Sequence, residues 1–346
     1  MIDLKYLVAY SIPVSAIIGL NLQGYWSFFT PIFAFVLIPI LEILLPLQNK
    51  NNSEKEIEVK SKSFFFDVLL LLNIPFVYGI LGWFLWSLQF NTYTSSELIG
   101  LIFSVGIVLG SNGINVAHEL GHRKSTWQKL AGKFLLLPSL YMHFYIEHNF
   151  GHHLNAATKE DPASAKYNQT VYSFWLTSIS RQYFSAWKIQ GNLLKSRESR
   201  FLGIYNDMLW YVIFQSLYLG AIYYFLGLQI MLFAIIIAVI GIVLLESINY
   251  IEHYGLRRNK IKSGRYERVA EIHSWNSNHI LGRIMLYELT RHSDHHYKSH
   301  KKYQLLDCHE TSPQMPYGYP TSLVLALVPP LWFSIMNKRI PAEMKG

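Results

Sequence analysis

Six stretches of roughly twenty mostly apolar residues dominate this chain, and that is the length an α-helix needs to cross the hydrocarbon core of a bilayer. They fall near 6–22, 26–46, 65–88, 97–117, 208–226 and 229–249. The first has no basic leader and no small-residue cleavage site, and the second follows at once, so it reads as a retained helix rather than a removed signal peptide. Short connections, Gln23 to Tyr25 and Gly227 to Leu228, make hairpins of the first and second and of the fifth and sixth stretches. Composition agrees. Only 15% of residues are charged, against about a quarter in soluble domains.

The net charge of +8 does not point to nucleic acid, because the basic residues avoid the apolar stretches and gather in selected loops, as membrane topology would place them. Lys50, Lys55, Lys60 and Lys62 follow the second stretch, and Arg123, Lys124, Lys129 and Lys133 follow the fourth. The segment after the sixth is also basic, whereas a connection such as Asn91 to Glu97 carries no lysine or arginine. Positive loops stay inside, so both termini are expected in the cytoplasm. Two further apolar stretches do not read as spans: 130–146, with Pro138, reads as an interfacial or re-entrant helix, and 321–336, with Pro329 and Pro330, as an interfacial segment. The expected architecture is all-α: one membrane-embedded domain over 1–346, a six-helix bundle with a cytoplasmic helical cap from 118–207 and 250–346. The single cysteine, Cys308, rules out an internal disulfide framework.

Fourteen histidines are the outlier, and most fall in four short motifs on the expected cytoplasmic side. His118-Glu119-Leu120-Gly121-His122 ends the fourth stretch. Continued as a helix, 97–122 is about 39 Å long, so its last turns emerge from the hydrocarbon. Glu147-His148-Asn149-Phe150-Gly151-His152-His153 comes next, then Asn249-Tyr250-Ile251-Glu252-His253-Tyr254-Gly255 and Arg291-His292-Ser293-Asp294-His295-His296. Spacings of three and four place imidazoles on one helix face, which suits a shared metal.

Alone, His118 and His122 spell the HExxH of a zinc protease, with the glutamate as general base. Zinc catalysis needs about three protein ligands, and here nine histidines stand in four groups. Nine imidazoles exceed one metal's capacity and suit two. Imidazole does not itself choose among iron, zinc, copper and nickel. Neutral rings offset no positive charge, so nearby carboxylates should orient them. Glu119 and Asp294 are the named candidates for that role, with Glu147, Asp161 and Glu252 also adjacent to the rings. A histidine-rich transporter would place its ligands at mid-bilayer, not at helix ends.

At these four motifs the chain resembles the alkane 1-monooxygenase family, within the wider class of membrane fatty-acid desaturases and hydroxylases. The box NYIEHYGL at Asn249 to Leu256 carries the specific likeness. It continues through EDPAS (Glu160 to Ser164), GRYER (Gly264 to Arg268), HSWNSNHI (His273 to Ile280), RHSDHH (Arg291 to His296) and PPLWF (Pro329 to Phe333). The resemblance implies iron ligands at His118, His122, His148, His152, His153, His253, His292, His295 and His296, and two non-haem irons as cofactors. It does not extend ligation to His143, His273, His279, His300 or His309. It implies O2-dependent terminal hydroxylation of medium- or long-chain n-alkanes in the bacterial inner membrane. It also implies electrons from a rubredoxin-type carrier served by an NAD(P)H-dependent reductase. Arg257, Arg258, Lys260, Lys298, Lys301 and Lys302 are candidates to steer an acidic carrier. Thr290 departs from the family's usual glutamine before the arginine. Desaturation, fatty-acid hydroxylation or aromatic-methyl hydroxylation on the same platform are the alternatives.

Overall fold

The computed structural model describes residues 3–344, and all regular elements among them are helical. In chain order these are α1 (Leu4–Leu22), α2 (Gly24–Leu44), α3 (Glu54–Lys62), α4 (Phe65–Ser87), α5 (Ser95–Gly121), α6 (Thr126–Leu136) and α7 (144–155). There follow α8 (Val171–Ser196), α9 (Asp207–Leu226), α10 (Leu228–His253), α11 (Ile280–Met285), α12 (His292–Tyr297), α13 (Tyr319–Ala326) and α14 (Pro329–Met336). Six of them, α1, α2, α4, α5, α9 and α10, are long and apolar enough to cross a membrane. They coincide with the six stretches read from sequence, so this is an integral membrane protein. The stretch 321–336 forms two helices of eight residues each, too short to span, and α6 at 126–136 is likewise no span.

The chain divides into two compact units: Met1–Ile38, Ser63–Tyr145 and Gln190–Leu245 form the first, and Pro39–Lys62, Ile146–Ile189 and Glu246–Gly346 the second.

Within the first unit, the spans are irregular where sequence interrupts the hydrogen-bond ladder. Pro75 has no N–H to give, and α4 breaks at Leu72, one turn before it. Asn73 repairs the gap by donating to the Leu69 and Leu70 carbonyls, at 2.9 and 3.1 Å. Its own carbonyl accepts from Asn112 Nδ2 at 2.8 Å. Asn112 lies in a π-turn of α5, Leu109–Ile114, and its amide also reaches the Ala9 carbonyl at 3.2 Å. A buried polar chain thus locks α1, α4 and α5 together where lipid would leave each group unsatisfied. The start of α5 is fixed by a capping box of Thr94 and Glu97.

Glycines let α5 and α10 approach. A Cβ on Gly106 would stand 2.5 Å from Ile240 Cγ2, and one on Gly110 2.8 Å from Leu244 Cδ2. Small residues at such crossings supply the packing that apolar burial cannot supply between helices in lipid. Ile240 is β-branched and stiff within a helix, so it has little room to yield. Gly106→Leu is expected to destabilise the protein by about 1–3 kcal/mol or more, seen as a lower unfolding midpoint in detergent. An unchanged midpoint would show that the crossing is looser than these distances indicate.

In the second unit, α8 lies against the final turns of α10. Trp175 Nε1 donates to Ser247 Oγ at 2.9 Å, and Ser178 Oγ and Gln182 Nε2 donate to Glu246 at 2.6 and 2.8 Å. Buried Arg291 donates to the Leu306 and Lys50 carbonyls, which anchors the start of α12. Thr290, the departure noted above, is fully buried. Its hydroxyl donates to the Ser277 carbonyl at 2.9 Å, and its carbonyl accepts from Ser277 N–H at 2.8 Å.

Candidate metal centre

Each histidine motif sits at a helix end or on a short helix, which places polar side chains where regular backbone gives way. In the first unit, α5 carries His118 in its last turn and is terminated by His122. The two rings are 5.0 Å apart between centroids and nearly perpendicular. Glu119 between them pairs with Arg123 at 3.1 Å, and Arg123 also reaches Asp67 at 3.3 Å, all three buried.

The other seven histidines belong to the second unit, where they sort into two groups. His152, His253, His292 and His296 have ligand atoms that all lie within 4.8 Å of one another, and all four are buried. His296 Nε2 is 3.1 Å from His152 Nε2 and 2.9 Å from His292 Nε2, and His292 Nε2 is 3.2 Å from His253 Nε2. Two nitrogens bound at about 2.1 Å and at right angles to one ion lie about 3 Å apart. The second group is His148, His153 and His295, also mutually within 4.8 Å, with His148 and His153 Nε2 atoms 3.0 Å apart.

The grouping departs from the spacing rule that the motifs suggest. His148 and His152 are four apart, yet they fall in different groups. The reason is local: residues His148–His152 form a π-turn, in which the hydrogen bond runs from residue i to i+5. His153, five residues on, therefore comes round to His148. On α12 the ordinary rule holds, and His292 pairs with His296 at i, i+4. His295 is one residue, hence about 100° of helix rotation, away from His296. It faces His153 instead, with centroids 4.9 Å apart. Both His-His dipeptides are thus split, one ring to each group.

Burial decides the charge state. The low-dielectric surroundings push the His295 imidazole down to about 3, and that of His296 well below its ordinary value. Both rings are therefore neutral donors near pH 7. Asp161 Oδ2 lies 3.0 Å from His152 Nδ1, which leaves Nε2 to face the group. Burial would raise the Asp161 carboxyl, but the His152 partner and the Ser164 hydroxyl hold it below the usual carboxylate value. Ala163 N–H donates to its other oxygen at 3.0 Å. Ser274 Oγ stands 3.5 Å from His253 Nδ1. Glu252 Oε2 is 3.2 Å from His292 Nε2, on the side of the ring that the other imidazoles face. Glu147 is driven well above the ordinary carboxylate value by burial and by Asp161 and Glu246.

Asp294 makes different contacts from those expected of a ring-orienting carboxylate. It accepts from Lys301 Nζ at 2.7 Å and Asp307 N at 2.8 Å, and lies 2.7 Å from His309 Nε2. It therefore anchors the chain after α12. Lys301, a candidate steering charge, is committed to Asp294 and Asp307. Ser164, Ser274 and His309 acquire roles that spacing did not assign; Ser164 had a signal as the last residue of EDPAS and Ser274 as the second of HSWNSNHI, whereas His309 had none.

The donor set, neutral nitrogens clustered in two groups with carboxylates against them, fits transition-metal ions. Residues 95–323 match the fatty acid desaturase family model. The chain is 36% identical to alkane 1-monooxygenase 2 of Pseudomonas aeruginosa over 341 residues, which is 95% of this chain and 88% of that one. It is 35% identical to alkane 1-monooxygenase 2 of Alcanivorax borkumensis, over 97% of this chain and 88% of that one. The chain belongs to the alkane 1-monooxygenase family. Likeness to a xylene/toluene monooxygenase hydroxylase component of Pseudomonas putida is weaker, 26% over 98% of this chain and 89% of that one. Within the alkane 1-monooxygenase family the chain is thus aligned along nearly its whole length, with the histidine motifs inside the matched region.

Asp161→Asn tests the orienting contact. An amide can still hydrogen-bond, but it carries no charge to fix the tautomer of His152. Loss of such outer partners costs about 10–100-fold in metal affinity or activity. Competition with a chelator is expected to show that loss, and unchanged metal retention would remove Asp161 from this role.

Proposed function

We propose that this chain is a di-iron alkane 1-monooxygenase that inserts one atom of O2 into the terminal C–H bond of medium- or long-chain n-alkanes. His152, His253, His292 and His296 hold one iron. His148, His153 and His295 hold the other, and His118 and His122 of the HELGH motif are iron ligands as well. When bound, the two irons supply the O2 activation that side chains cannot. The chain's own groups hold neutral imidazoles in fixed tautomers, keep bulk water from them, and set the Asp161 carboxylate behind His152 and Glu252 beside His292. The apolar surroundings of the spans suit a hydrocarbon substrate. Electrons come from a rubredoxin-type carrier and an NAD(P)H-dependent reductase. The histidines and both termini lie on the cytoplasmic side of a bacterial inner membrane, in keeping with the lysine and arginine distribution.

The observation that carries this reading is the splitting of adjacent histidines between two donor groups, one fully buried and the other largely so, in a chain whose relatives are alkane 1-monooxygenases. A zinc protease needs only one such group. The test is turnover of octane to hexadecane in liposomes with a reconstituted electron donor under 18O2. Primary alcohols carrying one labelled oxygen are the expected products. Alkenes, or oxidation of xylene methyls alone, would reassign the reaction to the desaturase or aromatic hydroxylase branch.

A further inference from the structure

One cavity of the second unit stands apart from the metal centre's own chemistry. It encloses about 240 Å³ and is walled by Lys159, Lys166, Arg181 and Arg257, with Ser164 and Thr177 hydroxyls and Asp161 in the same wall. That is space for about eight waters. No carboxylate stands within ion-pair distance of any of the four cations among the described residues. Asp161 is the one acid in the wall among them, and its oxygens are already taken by His152, Ser164 and Ala163 N–H. Arg257 is held in place by the Leu256 and Ala165 carbonyls, at 2.9 and 3.3 Å. Four cations sharing one concavity repel one another unless an anion joins them.

The depth of the cavity selects the anion. Residues 228–245 of α10 hold one polar side chain, Gln229, and cover about 27 Å, close to the hydrocarbon thickness. From Glu246 onward the helix turns polar, so its last turns stand among the lipid headgroups. The α8 residues Trp175, Ser178 and Gln182 are hydrogen-bonded to that very section, at Glu246 and Ser247. Thr177 and Arg181 of the cavity wall lie on the same part of α8, and Arg257 follows α10 by four residues. The outer face of α8 shows Tyr172, Leu176, Tyr183 and Phe184, with Leu176 78% and Phe184 70% exposed. Aromatic and apolar side chains beside cations, at the depth of the headgroups, mark a helix lying in the membrane interface.

We propose that this cavity binds the phosphate diester of an anionic membrane phospholipid, whose acyl chains lie along the exposed face of α8. The bound lipid neutralises the four cations and braces the 158–166 segment that carries Asp161. The site does not depend on the hydroxylation reaction, so it stands or falls separately from the function proposed above.

Native mass spectrometry of the full chain released from nanodiscs of equal phosphatidylglycerol and phosphatidylcholine tests it. One phosphatidylglycerol is expected to stay bound per chain, in at least about tenfold preference over phosphatidylcholine. Lys166→Gln/Arg181→Gln is expected to lose most of that lipid, while Lys188→Gln/Lys195→Gln, elsewhere on α8, keeps it. The replaced side chains are exposed, and an unchanged unfolding midpoint in lipid-free detergent verifies the fold. Each single variant is expected to give part of the loss. Equal retention by both double variants, or no preference between the lipids, overturns the proposal. Displacement of the lipid by 10 mM inorganic phosphate would also overturn it, by making the site one for a soluble ion.

Discussion

His253→Ala is expected to lower alkane hydroxylation by more than 100-fold and to leave the purified protein with one iron instead of two. The magnitude follows from the position of the ring. Outer partners of metal ligands are worth about 10–100-fold, and His253 is proposed to touch the ion itself. It stands alone in its motif, with no helix-spaced neighbour, and from sequence it is the weakest of the nine. In the fold it is completely buried at the end of α10, with Nε2 3.2 Å from that of His292. Removing it opens a quarter of a four-nitrogen set, and no other ring of that group can move from its own helix to fill the gap. Iron quantified per chain, alongside single-turnover product, checks the result. Two irons and normal turnover would take His253 out of the set.

His295→Ala is expected to be just as damaging, although its neighbour His296 remains, and to remove the other iron. The two rings are consecutive in sequence but belong to different groups, so they cannot substitute for each other. The pair of variants therefore separates the groups: each loses one iron, and His253→Ala/His295→Ala loses both. If a single HExxH zinc site did the chemistry, His295→Ala would be nearly silent. Loss of the same metal signal in both single variants would instead show that the rings converge on one ion.

The membrane spans were legible because hydropathy and helix length answer to the same bilayer thickness. All six sequence stretches reappear as helices with ends shifted by a few residues, as at α10, which continues past 249 to His253. That the seven histidines of the second unit gather was legible, because rings in such tight motifs have no ordinary packing role. Their partition was not. It depends on a π-turn at His148–His152, and hydrophobic periodicity carries no mark of one extra residue per turn. Gly151 in that turn lets backbone and side chains close up: a Cβ there would stand 2.8 Å from both Glu147 Oε1 and Ile189 Cδ1. Asp294 shows a second limit. Adjacency to His295 suggested a carboxylate that orients rings, but its partners Lys301, Asp307 and His309 come from seven to fifteen residues downstream. Which way a side chain leaves a short helix is set by such loop contacts, and spacing alone cannot encode them.

The most direct measurement is iron stoichiometry with X-ray absorption on protein purified without oxygen. Two irons per chain, each with a first shell dominated by nitrogen, are the expected result. One metal per chain, or zinc in place of iron, would contradict the division of these histidines between two ions.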